Sequence, residues 1–138
     1  MKNVLLWLDD MRNPYEGNWI AEFSPLKGGY SIYWVKSYDR FIQWINNNGL
    51  PRAICFDHDL GEDEAKAKVA KGVSKKKARQ EKKLAKSGMD CAKWLVDYCI
   101  DHDLDLPEWN VQSSNEPGKD NINGLLSGYL KFRLDNPK

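Results

Sequence analysis

Long apolar runs are missing from this 138-residue chain: no stretch of eighteen apolar residues exists, and the opening MKNVLLWLDD sets an aspartate pair where the apolar core of a signal peptide has to continue. Neither a membrane-spanning helix nor a cleaved leader is expected, and the reading is a soluble, cytoplasmic protein with no membrane partner. Cysteine is scarce. Cys55, Cys91 and Cys99 form no CxxC pair and sit inside apolar runs, which argues against a disulfide framework or a zinc site and for reduced, buried thiols. Net charge is almost absent at +1, but the average hides a division. Residues 65–87 hold ten of the 21 basic residues and one of the 20 acidic ones, so that stretch carries +9 and the remainder −8. The length suffices for one domain that buries roughly two-thirds of its extended-chain surface, and not for two full-sized ones. The reading is a single domain over 1–138 with a basic insertion at 62–87 inside it.

What is present alternates between two periodicities. Val4 to Leu8 is a continuous apolar run ending in Asp9-Asp10, the pattern of a strand buried on both faces. Asn13-Pro14 turns the chain, and Gly17, Pro25, Gly28 and Gly29 make the next stretch an aromatic-studded connection rather than a long helix. Ser31 to Lys36 reads as a second strand, and Asp39 to Asn47 as a helix with an apolar stripe of Phe41, Ile42, Trp44 and Ile45. Ala53 to Phe56 is a third strand, again running into acids at Asp57-His58-Asp59. The basic stretch lacks an apolar stripe and is expected to add little to a core. Helical spacing returns at Met89, Ala92, Leu95, Val96, Cys99 and Ile100, with Ser87 or Asp90 as the cap. Trp109 to Gln112 is a fourth strand, and a last helix carries Ile122, Leu125, Leu126 and Tyr129. Alternating strands and helices predict an α/β, flavodoxin-like open parallel sheet of about four strands with helices on both faces. Trp7, Trp34, Trp44 and Trp94 are expected in the core, while Trp19 and Trp109 are candidates for a pocket rim.

In an open parallel sheet ligands bind beyond the carboxyl ends of the strands. Two strands end in acids here, so Asp9, Asp10, Asp57 and Asp59 are expected to converge. Two carboxylates about 4 Å apart repel by roughly 4 kcal/mol at an effective dielectric near 20, and something must offset that. A hard divalent cation does so directly; shared protons or the nearby Arg12 are the alternatives, and turn or cap roles for the aspartates are a third. His58, between two of the acids, is suited to proton transfer near neutral pH or to holding a carboxylate by a hydrogen bond. His102, between Asp101 and Asp103, reads as a solvated helix end. At the end of the fourth strand Ser113, Asn115, Gly118 and Lys119 are the parts of a phosphate cradle, or else a Pro-Gly turn with a capping serine.

These motifs together resemble a known family. A strand ending in Asp-Asp, a strand ending in Asp and a strand ending in Ser, in that order, resemble the receiver domain of bacterial response regulators. More closely, Leu8-Asp9-Asp10-Met11-Arg12, Phe56-Asp57-His58-Asp59-Leu60-Gly61, Gly88-Met89-Asp90 with Trp94-Leu95, and Ser113-Ser114-Asn115-Glu116-Pro117-Gly118 with Asn121-Ile122 look like the cyclic-phosphate processing receiver domains. The resemblance implies a metal-dependent role on cyclic phosphate ends of nucleotides or RNA. It implies that Asp9 and Asp10 match the metal-binding pair, Asp57 the receiver's phosphoacceptor, and Asp59, Ser113 and Asn115 further polar positions. Two departures stand out: Gln112 occupies the place of a histidine usual in the family, and Lys119 follows the fourth strand where the receiver lysine follows a fifth.

The expected chemistry is a cyclic phosphodiesterase or phosphohydrolase that uses Mg²⁺ or Mn²⁺ on Asp9, Asp10 and Asp57. Asp57, His58 and Asp59 are its catalytic candidates, and Arg12, Ser113, Asn115 and Lys119 the groups that hold phosphate. The partner is a phosphate-containing small molecule or a nucleic-acid end. The competing expectation is a non-catalytic receiver-like module whose Lys75, Lys76, Lys77, Arg79, Lys82 and Lys83 engage nucleic acid or an acidic protein; with no aromatic among them, binding would be sequence-tolerant. Phosphorelay through Asp57 is a third, set back by the crowding of His58 and Asp59.

Overall fold

A computed structural model describes residues 2–60, 68–84 and 86–136. Four strands, β1 (Lys2–Leu8), β2 (Ser31–Val35), β3 (Pro51–Phe56) and β4 (Glu108–Val111), form one parallel sheet in the order β2-β1-β3-β4. The receiver-like, flavodoxin-like α/β fold follows. Pro51 sits at the first position of its strand, where a missing N–H is tolerated. The helices that lie wholly within the described residues are α1 (Trp19–Phe23), α2 (Tyr38–Asn48), α3 (Lys75–Leu84), α4 (Gly88–His102) and α5 (Glu116–Asp135).

Alternation along the strands divides the core. Leu6, Leu8, Ile54, Phe56 and Val111 meet Phe41 and Ile45 of α2, Cys91, Leu95 and Cys99 of α4, and Ile122 and Leu126 of α5. Leu5, Trp7, Ala53 and Cys55 point the other way, against Leu26 with Trp19, Ile20 and Phe23. Both faces are therefore covered, one by three full helices and the other by the five-residue α1 and the aromatic connection around it. All three cysteines are buried free thiols. Burial pushes Cys55 up to about 12 and Cys99 up to about 11, so neither is an available thiolate at neutral pH.

Helix ends follow local chemistry. Ser37 Oγ accepts from Arg40 N at the start of α2, and Gly49, at φ +81°, closes it with its N–H on the Ile45 carbonyl. Ser87 and Asp90 both cap α4, as a reciprocal capping box. Asn115, rather than a serine, caps α5, and Pro117-Gly118 lies in its first turn instead of forming a loop turn. The basic segment is helical over Lys75–Leu84, capped by Ser74 Oγ on Lys77 N, with Ala78 its buried residue among those described. Residues 61–67 and 85 of the insertion lie outside the described residues.

One contact fixes where α4 meets the sheet. A Cβ on Gly88 would fall 1.9 Å from the Asp57 carbonyl oxygen and 2.9 Å from His58 Cα, and Gly88 N donates to the His58 carbonyl at 2.8 Å. Backbone thus packs on backbone beside the acids. Gly88→Ala is expected to cost about 3 kcal/mol or more, because neither partner is a movable side chain. Gly124→Ala, mid-helix with open space around its Cβ, is expected to gain roughly 0.5–1 kcal/mol. Denaturant melts of the two variants check both signs.

Candidate metal and phosphate site

β1 and β3 are neighbours in register, Leu8 beside Phe56, so the residues following them emerge side by side. Asp9, Asp10 and Asp57 are all buried and present carboxylate oxygens that lie within 4.8 Å of one another. Asp59 stands outside this trio: two residues past the strand its backbone N–H turns back to Asp57 Oδ1 at 3.2 Å, while its carboxylate engages His58. The expected convergence of four acids is thus three plus one.

Asp9 is held from several sides. Its Oδ1 accepts from the backbone N–H groups of Met11 and Arg12, both at 2.9 Å. Its Oδ2 accepts from Arg12 Nη1 at 3.2 Å and from Gln112 Nε2 at 3.5 Å. Arg12 Nη1 also lies 3.9 Å from Asp57 Oδ1, and its guanidinium stacks over Trp19, 5.3 Å from the ring centroid. Arg12 therefore faces the acids as a fixed cation, over a Trp19 that itself packs on the second core cluster. Trp109 Nε1 donates to Asn123 Oδ1 and its ring packs on the core.

These donors do not neutralise the cluster. Burial, then the charges of Asp9 and Asp10, push the Asp57 carboxyl up to about 8, while the Asp59 amide and Arg12 pull the other way. The chemistry of the set suits a small hard cation. Mg²⁺ takes carboxylate oxygens of this kind, one to each of several acids, and fills its remaining positions with water. Among the described residues the buried Gln112 Oε1 has no hydrogen-bond partner, although Nε2 of the same amide reaches Asp9.

A second cluster adjoins the first. His58 Nδ1 and Asp59 Oδ1 are 2.9 Å apart, and Asn115 Nδ2 donates to the same oxygen at 3.3 Å. A carboxylate partner places the proton on Nδ1 and leaves Nε2 with the lone pair when the ring is neutral. Gly118 makes room for that ring: a Cβ there would lie 2.5–2.7 Å from three of its atoms. Ser113 is buried, its Oγ accepting from Asn115 N at 3.1 Å. The Gly118 amide is taken by Asn115 Oδ1. The loop thus orders the His58–Asp59 pair, with the Ser113 hydroxyl proton left to donate. Lys119 sits in the first turn of α5, and among the described residues no ion pair ties it to the acids. His102 ends α4, exposed and stacked on Tyr98, as expected.

Two participants carried no local signal. Gln112, marked in the sequence only as a departure, donates through Nε2 to the Leu8 carbonyl at 2.9 Å and so ties β4 to β1 directly under Asp9. Trp34, assigned to the core, donates from Nε1 to the Asp9 carbonyl. Both contacts depend on strand order, which single-strand patterns do not reveal.

The raised Asp57 carboxyl sets the sign of a pH effect. Folded Asp57 keeps its proton to about 8 and the unfolded side chain loses it near 4, so between these values the folded chain binds more protons and stability falls as pH rises. Metal-free melting temperature is expected to drop from pH 5 to pH 8, and Mg²⁺ or Mn²⁺ to restore it most at pH 8. Asp57→Asn is expected to flatten both responses and to raise the metal-free melting point at pH 8 by roughly 4 °C or more. Melting curves with and without a chelator check this.

No curated protein and no solved structure gives a significant match to the chain. A family model described as Cyclic-phosphate processing Receiver domain matches residues 4–128, a span that includes all four strands beyond the first two residues of β1 and every acid and loop residue of the two clusters. With the parallel sheet and the acid trio at its carboxyl end, this match shows that the chain belongs to the family of cyclic-phosphate processing receiver domains.

Proposed function

We propose that this domain hydrolyses cyclic phosphates at the ends of nucleotides or RNA, with a divalent cation held by Asp9, Asp10 and Asp57. The observation that carries the reading is the juxtaposition of the buried acid trio with an ordered His58–Asp59–Asn115 cluster at the same end of the sheet. A bound Mg²⁺ or Mn²⁺ supplies polarisation of the phosphoryl group and a more acidic water. The protein's own groups do the rest. Arg12, beside Asp9 and Asp57, and the Ser113 hydroxyl face developing negative charge on the phosphoryl oxygens. As water oxygen bonds to phosphorus, the endocyclic P–O bond breaks. His58 Nε2 takes a proton from the entering water, and the imidazolium so formed gives it to the leaving ribose oxygen, so the product is an open phosphomonoester. Asp59 and Asn115 keep the ring in the tautomer and position this needs.

Asp57→Asn is expected to lower metal-dependent hydrolysis of a 2′,3′-cyclic nucleotide at least a hundredfold, and His58→Ala by roughly 10²–10⁴-fold. Full activity in either variant, against an active wild type, would remove the corresponding role.

A second reading rests on α3, whose Lys75, Lys76, Lys77 and Arg79 are all exposed while Ala78 is buried. Such a helix suits backbone phosphates without base readout. Lys82 and Lys83 continue the same helix. If it recruits nucleic acid, replacing Lys75, Lys76, Lys77 and Arg79 by glutamine is expected to weaken binding and to flatten its dependence on salt; an unchanged salt slope by fluorescence polarisation argues against recruitment.

A further inference from the structure

β2 is an edge of the sheet, with β1 as its sole neighbouring strand among the described residues. Asp9 N donates to the Val35 carbonyl at 3.1 Å, so that carbonyl faces β1, and by alternation the N–H and C=O groups of Trp34 and Ile32 face outward. Along this edge, between β2 and α2, runs a groove of about 370 Å³. Three aromatic residues line it. Tyr33 is 54% exposed and packs against Trp44, with ring centroids 5.9 Å apart. Trp34 carries Lys36 Nζ over its ring at 4.3 Å. Arg40 faces the groove from α2 and donates through Nη1 to Gln43 Oε1 at 3.3 Å. Two cations line it and, among the described residues, no carboxylate does.

Two residues of the groove bond the backbone of Asp9. Lys36 directly follows Val35, which binds Asp9 N, and Trp34 Nε1 donates to the Asp9 carbonyl at 2.6 Å. A ligand reaching from the groove to the acids needs an aromatic-stacking part and an anionic backbone. A single RNA strand has both at every step, and base–aromatic stacking accepts any base. Strand addition by an extended peptide fits less well, because Tyr15 Oη already donates to the outward Ile32 carbonyl at 3.0 Å and caps the edge there.

We infer that this groove holds the RNA strand leading to the end that the acid cluster processes, with a base stacked on Tyr33 and phosphates on Lys36 and Arg40. The inference rests on the cyclic-phosphate reading above and names its substrate as an oligonucleotide in preference to a free cyclic nucleotide.

A fluorescein-labelled tetraribonucleotide with a plain 3′-hydroxyl, measured by polarisation on the full chain without added metal, reads the groove alone. Lys36→Glu with Arg40→Glu is expected to weaken its binding tenfold or more, and Tyr33→Ala about fivefold to tenfold. All three side chains are exposed, and circular dichroism of each variant confirms that it folds. In turnover, the wild type is expected to prefer a tetranucleotide ending in a 2′,3′-cyclic phosphate over the cyclic mononucleotide, and the double charge reversal to erase that preference. Weakened binding in the variants beside a wild type inert on every cyclic phosphate keeps the groove and removes the hydrolytic reading. Unchanged affinity of the double variant overturns the groove, whatever the hydrolysis assay gives. Displacement of the RNA by an uncharged extended peptide overturns it in favour of strand addition.

Discussion

Three carboxylates buried within 4.8 Å of one another repel, and much of the local structure answers that repulsion. Two backbone amides turn onto Asp9, a guanidinium reaches from Asp9 toward Asp57, a buried amide leans in from β4, and the Asp59 amide turns back onto Asp57. Even so, burial and its neighbours drive Asp57 toward its protonated form. A protein gains no folding free energy from such an arrangement. Its cost is consistent with a ligand that supplies positive charge, and the same field accounts for the presence of Arg12 beside Asp9 and Asp57.

The second constraint is steric. Residues 57 and 58 are pressed from two sides by glycines, Gly88 at the start of α4 and Gly118 at the start of α5. The first brings helix backbone against strand backbone. The second lets the His58 ring lie on a helix terminus, where Asp59 and Asn115 fix its orientation. Packing and acid–base geometry are therefore one problem at this point of the chain: the glycines that close the fold also set the direction in which an imidazole presents its lone pair.

How much of this is legible without coordinates depends on distance along the chain. Strands ending in Asp9-Asp10 and Asp57 are local patterns, and parallel neighbours bring them together, so the trio was readable. The cap of α4 at Ser87 and Asp90 was readable too. Asp59, expected to converge with the other three acids, lies outside the trio because its own backbone amide turns back onto Asp57 while its carboxylate takes His58 and Asn115. The Pro117-Gly118 pair looked like a loop turn and is the first turn of a helix, since proline early in a helix loses no hydrogen bond. Gln112 and Trp34 were opaque: both act on residue 9 or its neighbour through contacts that exist only once the order β2-β1-β3-β4 is set. The edge groove is opaque for the same reason, because no residue of β2 announces that its strand is outermost.

The bond from Gln112 to the Leu8 carbonyl spans 104 residues. Contacts that far apart in sequence carry a loop-closure cost and tend to form late. During synthesis the first strand and its aspartates leave the ribosome well before the fourth strand exists to close over them. The nascent chain therefore carries its acids in open water, where they are ordinary carboxylates, and they become one buried, mutually repelling cluster only once β3 and then β4 have joined β1.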